Sequence, residues 1–442
     1  MNLIEQIKAS GVIGAGGAGF PTHAKLSAQA DYILMNGAEC EPLLRVDQQL
    51  MDVYADDIIQ GFAMAGRATG AREAIIGIKK KHAAVIARLK ERTCALGVGD
   101  YVRVGELPDV YPAGDEQVLV YELTGRVVPE AGIPIHVGCV VVNSETALNI
   151  YRAAQGQPVT EKFITLAGDI PRRLTVKVPV GTPIIDVLRL SGIEDFANYA
   201  VIDGGPMMGP VMSDLSGYVT KKNKGFVILA KDHALIRQKS TTMDQAKRVN
   251  RATCEQCRMC TDLCPRYLLG HHMEPHKTMR AMNYNFGDIS GQAYTQLCCQ
   301  CNLCELFSCP AGLHPKMANL YFKGQLADAG VRYQPPSDHY EARHMRDYRM
   351  VPSKRLIARL GLRDYDAPAP LTDETVTPDV IRIMLRQHVG APAVPQVTVG
   401  QRVATGERIA DIPAESLGCT MHSSISGTVS AITADYIEVR RG

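Results

Sequence analysis

Cys254-Glu255-Gln256-Cys257-Arg258-Met259-Cys260-Thr261-Asp262-Leu263-Cys264-Pro265 reads C-x2-C-x2-C-x3-C-P, and Cys298, Cys301, Cys304, Cys309 and Pro310 repeat the pattern with one extra residue before the last cysteine. This is the spacing that holds two [4Fe–4S] clusters. Four soft thiolates must converge on one small cubane, and a tight turn with two residues between ligands aims three of them at it. In the two-cluster arrangement the fourth ligand comes from the other run. The spacing therefore assigns Cys254, Cys257, Cys260 and Cys309 to one cluster, and Cys298, Cys301, Cys304 and Cys264 to the other. Each terminal cysteine precedes a proline, which ends its turn by fixing φ and removing a backbone donor. Such a chain moves single electrons. Zinc is the rival reading, but zinc sites pair two Cys-x-x-Cys knuckles across a spacer of about a dozen residues or more, whereas each run here is compact. Cys299, a spare thiol inside the second run, could replace a ligand.

Outward from these runs, 442 residues allow about three domains and a real core. A net charge of +2 gives no footprint for nucleic acid or an acidic membrane surface. The amino-terminal MNLIEQIKAS lacks the basic and apolar regions of a signal peptide, and no apolar stretch approaches the ~18 residues of a membrane helix. Thirteen cysteines, an odd number in clustered spacing, point to a reducing compartment, so a cytoplasmic location is expected. Cys40, Cys94, Cys139 and Cys419 read as buried apolar thiols.

Residues 1–155 alternate strand-like and helix-like segments, which is α/β patterning: YILMN at Tyr32, a helical pattern from Val46 to Gly66, and an apolar run from Cys139 to Val142. Residues 156–238 read as a small α+β unit through FITLAGDI, LTVKVPVG, PIIDVLRLSG, AVIDGGPMMG and GFVILA. Residues 239–330 carry the cysteine runs in helix-forming surroundings. The polar, proline-containing stretch 331–374 reads as a linker or surface wrap, and 375–442 as short strands and turns.

Gly14-Ala15-Gly16-Gly17-Ala18-Gly19 matches G-x-G-x-x-G in letters, but NLIEQIKAS before it reads as helix and Pro21 follows at once, so the strand–turn–helix context of a dinucleotide fingerprint is missing. The chemistry survives: closely spaced glycines let backbone N–H groups approach a phosphate, and Lys25 adds a point charge. A plain flexible turn and, for Asp115 and Glu116, an exposed helix start favoured by the dipole are the alternatives read from residues alone.

GAGGAGFPTHAK (Gly14 to Lys25), NGAECEP (Asn36 to Pro42), YPAGDE (Tyr111 to Glu116) and VVNSET (Val141 to Thr146) together resemble, in the same order, the flavin- and NADH-binding segments of the complex I flavoprotein subunit. The C subunit of the Rnf electron-transport complex is similar in these and in GGPMMG (Gly204 to Gly209) and the two cysteine runs. The resemblance implies FMN, with its phosphate on the loop of Gly14, Gly16, Gly17 and Gly19 near Lys25, and its ribityl chain and ring framed by Asn36, Tyr111, Gly114, Asn143 and Thr146. It implies Asp115 and Glu116 beside the flavin and nicotinamide, with Glu116 as the catalytic candidate, and Glu41 near the ribose of NADH. Ala38 and Ala15 stand where the family has an acid and an arginine, which implies a looser hold on FMN.

Residues 380–442 resemble a barrel-sandwich hybrid of the lipoyl and biotinyl type, without the carrier lysine: Met421-His422-Ser423 occupies its hairpin and no lysine follows Lys354. A structural or docking role is therefore expected. The Rnf C subunit carries a similar module at its other end; the order found here resembles the cobalamin reductases of the propanediol-utilisation microcompartment. The expected fold is thus multidomain α/β and α+β: a complex I-type flavin domain (1–155), an SLBB-like β-grasp domain (156–238), a helical ferredoxin-type domain for two [4Fe–4S] clusters (239–330), a linker (331–374) and a non-lipoylated barrel-sandwich hybrid (375–442).

The implied activity is NADH-dependent reduction of cobalamin, from cob(III)alamin to cob(II)alamin to cob(I)alamin, for an adenosyltransferase that rebuilds coenzyme B12. No corrin motif is visible, so this step rests on the resemblance alone. It also implies a bacterial microcompartment as the setting and a shell protein as a partner. An Rnf-like subunit passing electrons to ferredoxin or a membrane complex, and a non-catalytic iron–sulfur adaptor on a shell, are the rival readings. His271, His272 and His276 invite a metal-ligand role, but surface or helix-cap roles are the preferred reading.

Overall fold

In the computed structural model, which describes residues 1–282 and 288–442, four parallel strands form the first sheet. Their spatial order is Val102–Leu107, Glu73–Lys79, Tyr32–Asn36, Cys139–Asn143. Successive residues of a strand face opposite sides. Ile33, Met35, Ile76, Val140 and Val142 accordingly meet the helices Val46–Val53, Ala55–Ala68, Ala83–Ala95 and Ser144–Ala154 on one face, while Leu34, Ile75, Cys139 and Val141 meet Leu119 and Val120 of Glu116–Thr124 on the other. Both faces are covered, as parallel sheets require. Gly77 is needed for the second face: a Cβ there would lie 2.9 Å from the Leu119 side chain.

A five-stranded mixed sheet comes next, in the order Leu371–Thr375, Leu174–Pro179, Glu161–Gly168, Gly225–Ala230, Tyr199–Asp203, with the helix Ile184–Arg189 packed on it. Its edge strand comes from the stretch expected as a linker or surface wrap. That stretch is pinned to the protein surface at points along it: Tyr333 and Tyr340 both donate to the buried Glu130 carboxylate, Val351–Pro352 pairs with Val110–Tyr111, and Leu371–Thr375 completes the sheet. Its polarity is satisfied by the domain it crosses, which is why composition alone reads it as a connector.

The cysteine runs lie among short helices from Met243–Thr253 to Pro315–Asp328; residues 283–287, between the runs, lie outside the described residues. The carboxy-terminal unit closes a four-stranded and a three-stranded sheet around Ile381, Ile383, Ile409, Met421, Val429, Ile437 and Val439. Ile13, just before the glycine loop, is buried in this same core. None of the described helices is long and apolar enough to cross a membrane.

Candidate flavin and cluster site

Asn36 and Asn143 are register partners at the carboxyl ends of neighbouring parallel strands. From Tyr32–Asn36 the chain first extends the sheet to one side and later adds Cys139–Asn143 on the other, so these two asparagines flank the topological switch point, where open α/β sheets bind ligands. The glycine loop lies over it. Gly16, Gly17 and Ala18 are exposed, Ala15 N–H donates to Thr146 Oγ1 at 3.0 Å, and a Cβ on Gly17 would meet nothing within 4 Å. Two helices start here, Ser144–Ala154 capped by Asn143 and Glu116–Thr124 capped by Asp115. Lys25 Nζ donates to Val141 O at 2.9 Å and to Glu116 Oε1 at 3.3 Å, and Asn36 Nδ2 donates to Gly114 O at 2.8 Å. An open glycine loop, two helix amino termini and a half-buried lysine suit a phosphate-bearing flavin. Cys40, expected as a buried apolar thiol, is only partly buried, and its sulfur accepts the Gly114 N–H at 2.6 Å.

The loop is buttressed from outside its own domain. Val389 N–H donates to Gly19 O, and the buried Lys221 donates to Gly11 O at 2.8 Å and Thr420 O at 3.2 Å. The carrier-type hairpin is consequently not exposed: Met421, His422 and Ser423 are all buried. Beneath the loop, Lys162 Nζ pairs with Glu145 Oε2 at 2.5 Å and reaches Ala15 O at 3.5 Å, with both side chains 1% exposed. Breaking such a pair from one side strands a buried charge. Lys162→Met is expected to lower unfolding stability by about 3–5 kcal/mol in urea titration, with most of the loss recovered in Lys162→Met/Glu145→Leu.

Each cysteine run makes the same turn. Gln256 and Arg258 flank Cys257 with φ of 57° and 67°, and Gln300 and Asn302 flank Cys301 with 59° and 65°. Two left-handed residues in alternation curl each run tightly about its second cysteine. The runs differ afterwards: Met259–Asp262 is an α-turn, whereas Leu303–Ser308 is a π-helical turn. The wider turn absorbs the extra residue before Cys309. Cys309 packs on the same apolar cluster as Cys254, and Cys264 on the same one as Cys298. Burial, then Cys254, Cys309 and Cys257, pushes the Cys260 thiol up to about 12. Cys301 is raised by Cys299 and burial, with Cys264 and Cys304 adding to it. Among the described residues no group of three or more His, Cys, Asp or Glu is placed to hold a single metal ion. A four-iron cubane asks for a wider array than a single ion, because each thiolate binds a different iron.

A thin wall separates the glycine loop's neighbourhood from the second run. Tyr111 is buried and its hydroxyl donates to Cys301 O at 2.7 Å. Asp115, expected beside the flavin, gives both oxygens to Arg266, at 2.6 and 2.9 Å, while one of them caps its own helix. Burial opposes the charge on Asp115, but Arg266 and the cap hydrogen bonds outweigh it and hold the carboxyl below its usual range. Glu41, expected near the NADH ribose, accepts Met207 N–H at 2.8 Å and Met208 N–H at 3.0 Å. Met207 O in turn accepts from Asn302 Nδ2 at 2.6 Å, so GGPMMG ties NGAECEP to the second cysteine run. Glu116 is left half-exposed on the solvent-facing rim beside Lys25.

Two smaller expectations are corrected. His271 is neither on the surface nor a cap but buried, hydrogen-bonded to Val128 O, whereas His272 bonds Glu130 and His276 bonds Thr261. Cys94 is exposed, because the buried stripe of its helix runs through Ile86, Leu89 and Thr93 and leaves the next residue facing out.

Residues 7–152 match the family of the Nuo51 FMN-binding domain, 253–314 the 4Fe-4S dicluster domain and 368–441 the RnfC barrel sandwich hybrid domain. The C subunit of the ion-translocating oxidoreductase complex of Actinobacillus succinogenes is 35% identical over 61% of this chain and 37% of its own. Cobalamin reductase PduS of Salmonella typhimurium is 44% identical, and that of Citrobacter freundii 45%, each over 99% of this chain and 96% of the relative. With that identity from end to end, and with flavin, cluster and barrel modules in the order found here, the chain belongs to the PduS cobalamin reductase family.

Proposed function

We propose that this protein takes a hydride from NADH at an FMN site built from Gly14, Gly16, Gly17, Gly19, Lys25, Asn36, Tyr111, Gly114, Asn143 and Thr146, and delivers single electrons to cobalamin. When bound, FMN supplies the conversion from two-electron to one-electron chemistry and two [4Fe–4S] clusters supply one-electron storage. The observation that carries the reading is the shared wall: within YPAGDE, Tyr111 bonds the carbonyl of Cys301 and Asp115 bonds Arg266, two residues after Cys264. Cys264, Cys298, Cys301 and Cys304 are therefore the flavin-side set. Cys254, Cys257, Cys260 and Cys309 form the outer set, in which Cys257 is exposed and open to a docked acceptor. An adenosyltransferase consuming cob(I)alamin, and a shell protein placing the chain in a cytoplasmic microcompartment, are the partners this reading calls for.

Glu116 orients the nicotinamide from the rim, held by Lys25. Glu116→Gln removes one charge-assisted hydrogen bond of about 1.5–3 kcal/mol, so anaerobic stopped-flow is expected to show flavin bleaching by NADH slowed by about 10- to 100-fold. Iron and flavin content should not change. A variant bleaching at the wild-type rate takes Glu116 out of the site. The whole reading fails if the protein, with flavin and iron fully loaded, shows no NADH-driven bleaching at all.

A further inference from the structure

The two cysteine runs are alike in turn geometry and unlike in the residues after their last ligand. The first continues Cys264-Pro265-Arg266, the second Cys309-Pro310-Ala311. Arg266 is 8% exposed, and its guanidinium is clamped by Asp115 at 2.6 and 2.9 Å. Arg266 lies in the turn Pro265–Leu268 that Cys264 begins, two residues from that thiol, and its Asp115 clamp belongs to the same YPAGDE segment whose Tyr111 reaches Cys301 O. The pair is not required simply to join the modules, because Tyr111 with Cys301 O, His271 with Val128 O and His272 with Glu130 already do so. A buried cation beside cluster sulfurs favours the reduced, more negative cluster. Charge and hydrogen bonds to sulfur are the means by which proteins tune such centres.

We propose that Arg266, aimed by Asp115, is a positioning residue that raises the reduction potential of the flavin-side cluster alone, making the two clusters unequal. The proposal rests on the ligand sets given above, and iron content with two resolved EPR signals tests those separately. Reconstituted full-length protein, Arg266→Gln, Arg266→Lys and Asp115→Asn are to be titrated potentiometrically with EPR detection, the flavin-side signal being the one lost in Cys264→Ala.

Arg266→Gln is expected to move that midpoint to more negative potential and leave the other in place, Arg266→Lys to stay near wild type, and Asp115→Asn to move it to more positive potential. Opposite signs in the two partners of one ion pair mark a charge effect, since mere loosening would push both variants the same way. An unchanged midpoint in Arg266→Gln, equal shifts in the glutamine and lysine variants, or equal shifts of both clusters would overturn the proposal. If Arg266→Gln does not retain iron, Asp115→Asn decides: a positive shift confined to the flavin-side signal supports it, and any other result overturns it.

Discussion

Cys264→Ala is expected to halve the iron of the anaerobically reconstituted protein, from about eight atoms per chain to about four, and to remove one of two EPR signals. The lost signal should be that of the set built mainly by the second run, although Cys264 belongs to the first. Cys264 is buried on the same apolar cluster as Cys298, while Cys309, after a π-helical turn, packs on the same cluster as Cys254. Cys299→Ala should keep about eight irons, because the other three thiols of that set, Cys298, Cys301 and Cys304, together with Cys264 already make four. Cys299 is nonetheless a near neighbour of Cys264 and Cys301. Full iron in Cys264→Ala together with loss in Cys299→Ala would exchange their roles.

The second large effect belongs to the glycine loop. Gly16→Val should abolish flavin uptake while leaving the iron content at the wild-type value. A Cβ at Gly16 would already lie 3.1 Å from Asn143 Nδ2 and 3.2 Å from its Cγ, and Asn143 also caps the helix Ser144–Ala154 and donates to Asp47. Valine's two further carbons have nowhere to go except into the asparagine or into the space over the loop, where the backbone N–H groups must meet the phosphate. The cysteine runs lie in other elements and should load normally. Flavin released on denaturation, counted against iron, makes the comparison, and a variant with full flavin puts the phosphate elsewhere.

What could be read from the chain and what could not divides along contact range. The 4Fe-4S dicluster domain is legible because a metal centre writes its geometry into cysteine spacings of two and three residues, and the open turn at Gly16 and Gly17 because glycine marks it locally. The partners of Asp115 and Glu41 are not legible. Arg266 lies 151 residues beyond Asp115, and Met207 lies 166 beyond Glu41, and no local pattern encodes such a pairing. For the same reason a polar stretch containing Leu371–Thr375 reads as a connector until a sheet edge is there to receive it. The extra residue before Cys309 is visible as an irregularity, but only the π-helical turn shows how the chain accommodates it. The buttress from Lys221 to Gly11 and Thr420 likewise joins three distant segments, and it ties the barrel module to the chain just before the glycine loop.

The central claim is that the chain turns hydride from NADH into single electrons strong enough for the second reduction of cobalamin. Free reduced flavin reduces cob(III)alamin unaided, so the first reduction proves little. The direct measurement is anaerobic formation of adenosylated cobalamin from cob(III)alamin with NADH and an adenosyltransferase, set against an equal concentration of free FMN. The account predicts product well above the free-flavin control, lost in Cys257→Ala although flavin bleaching by NADH persists. Product no greater than free FMN gives, together with efficient reduction of ferredoxin or a membrane quinone, would contradict it and make the chain an electron-input subunit of the Rnf kind.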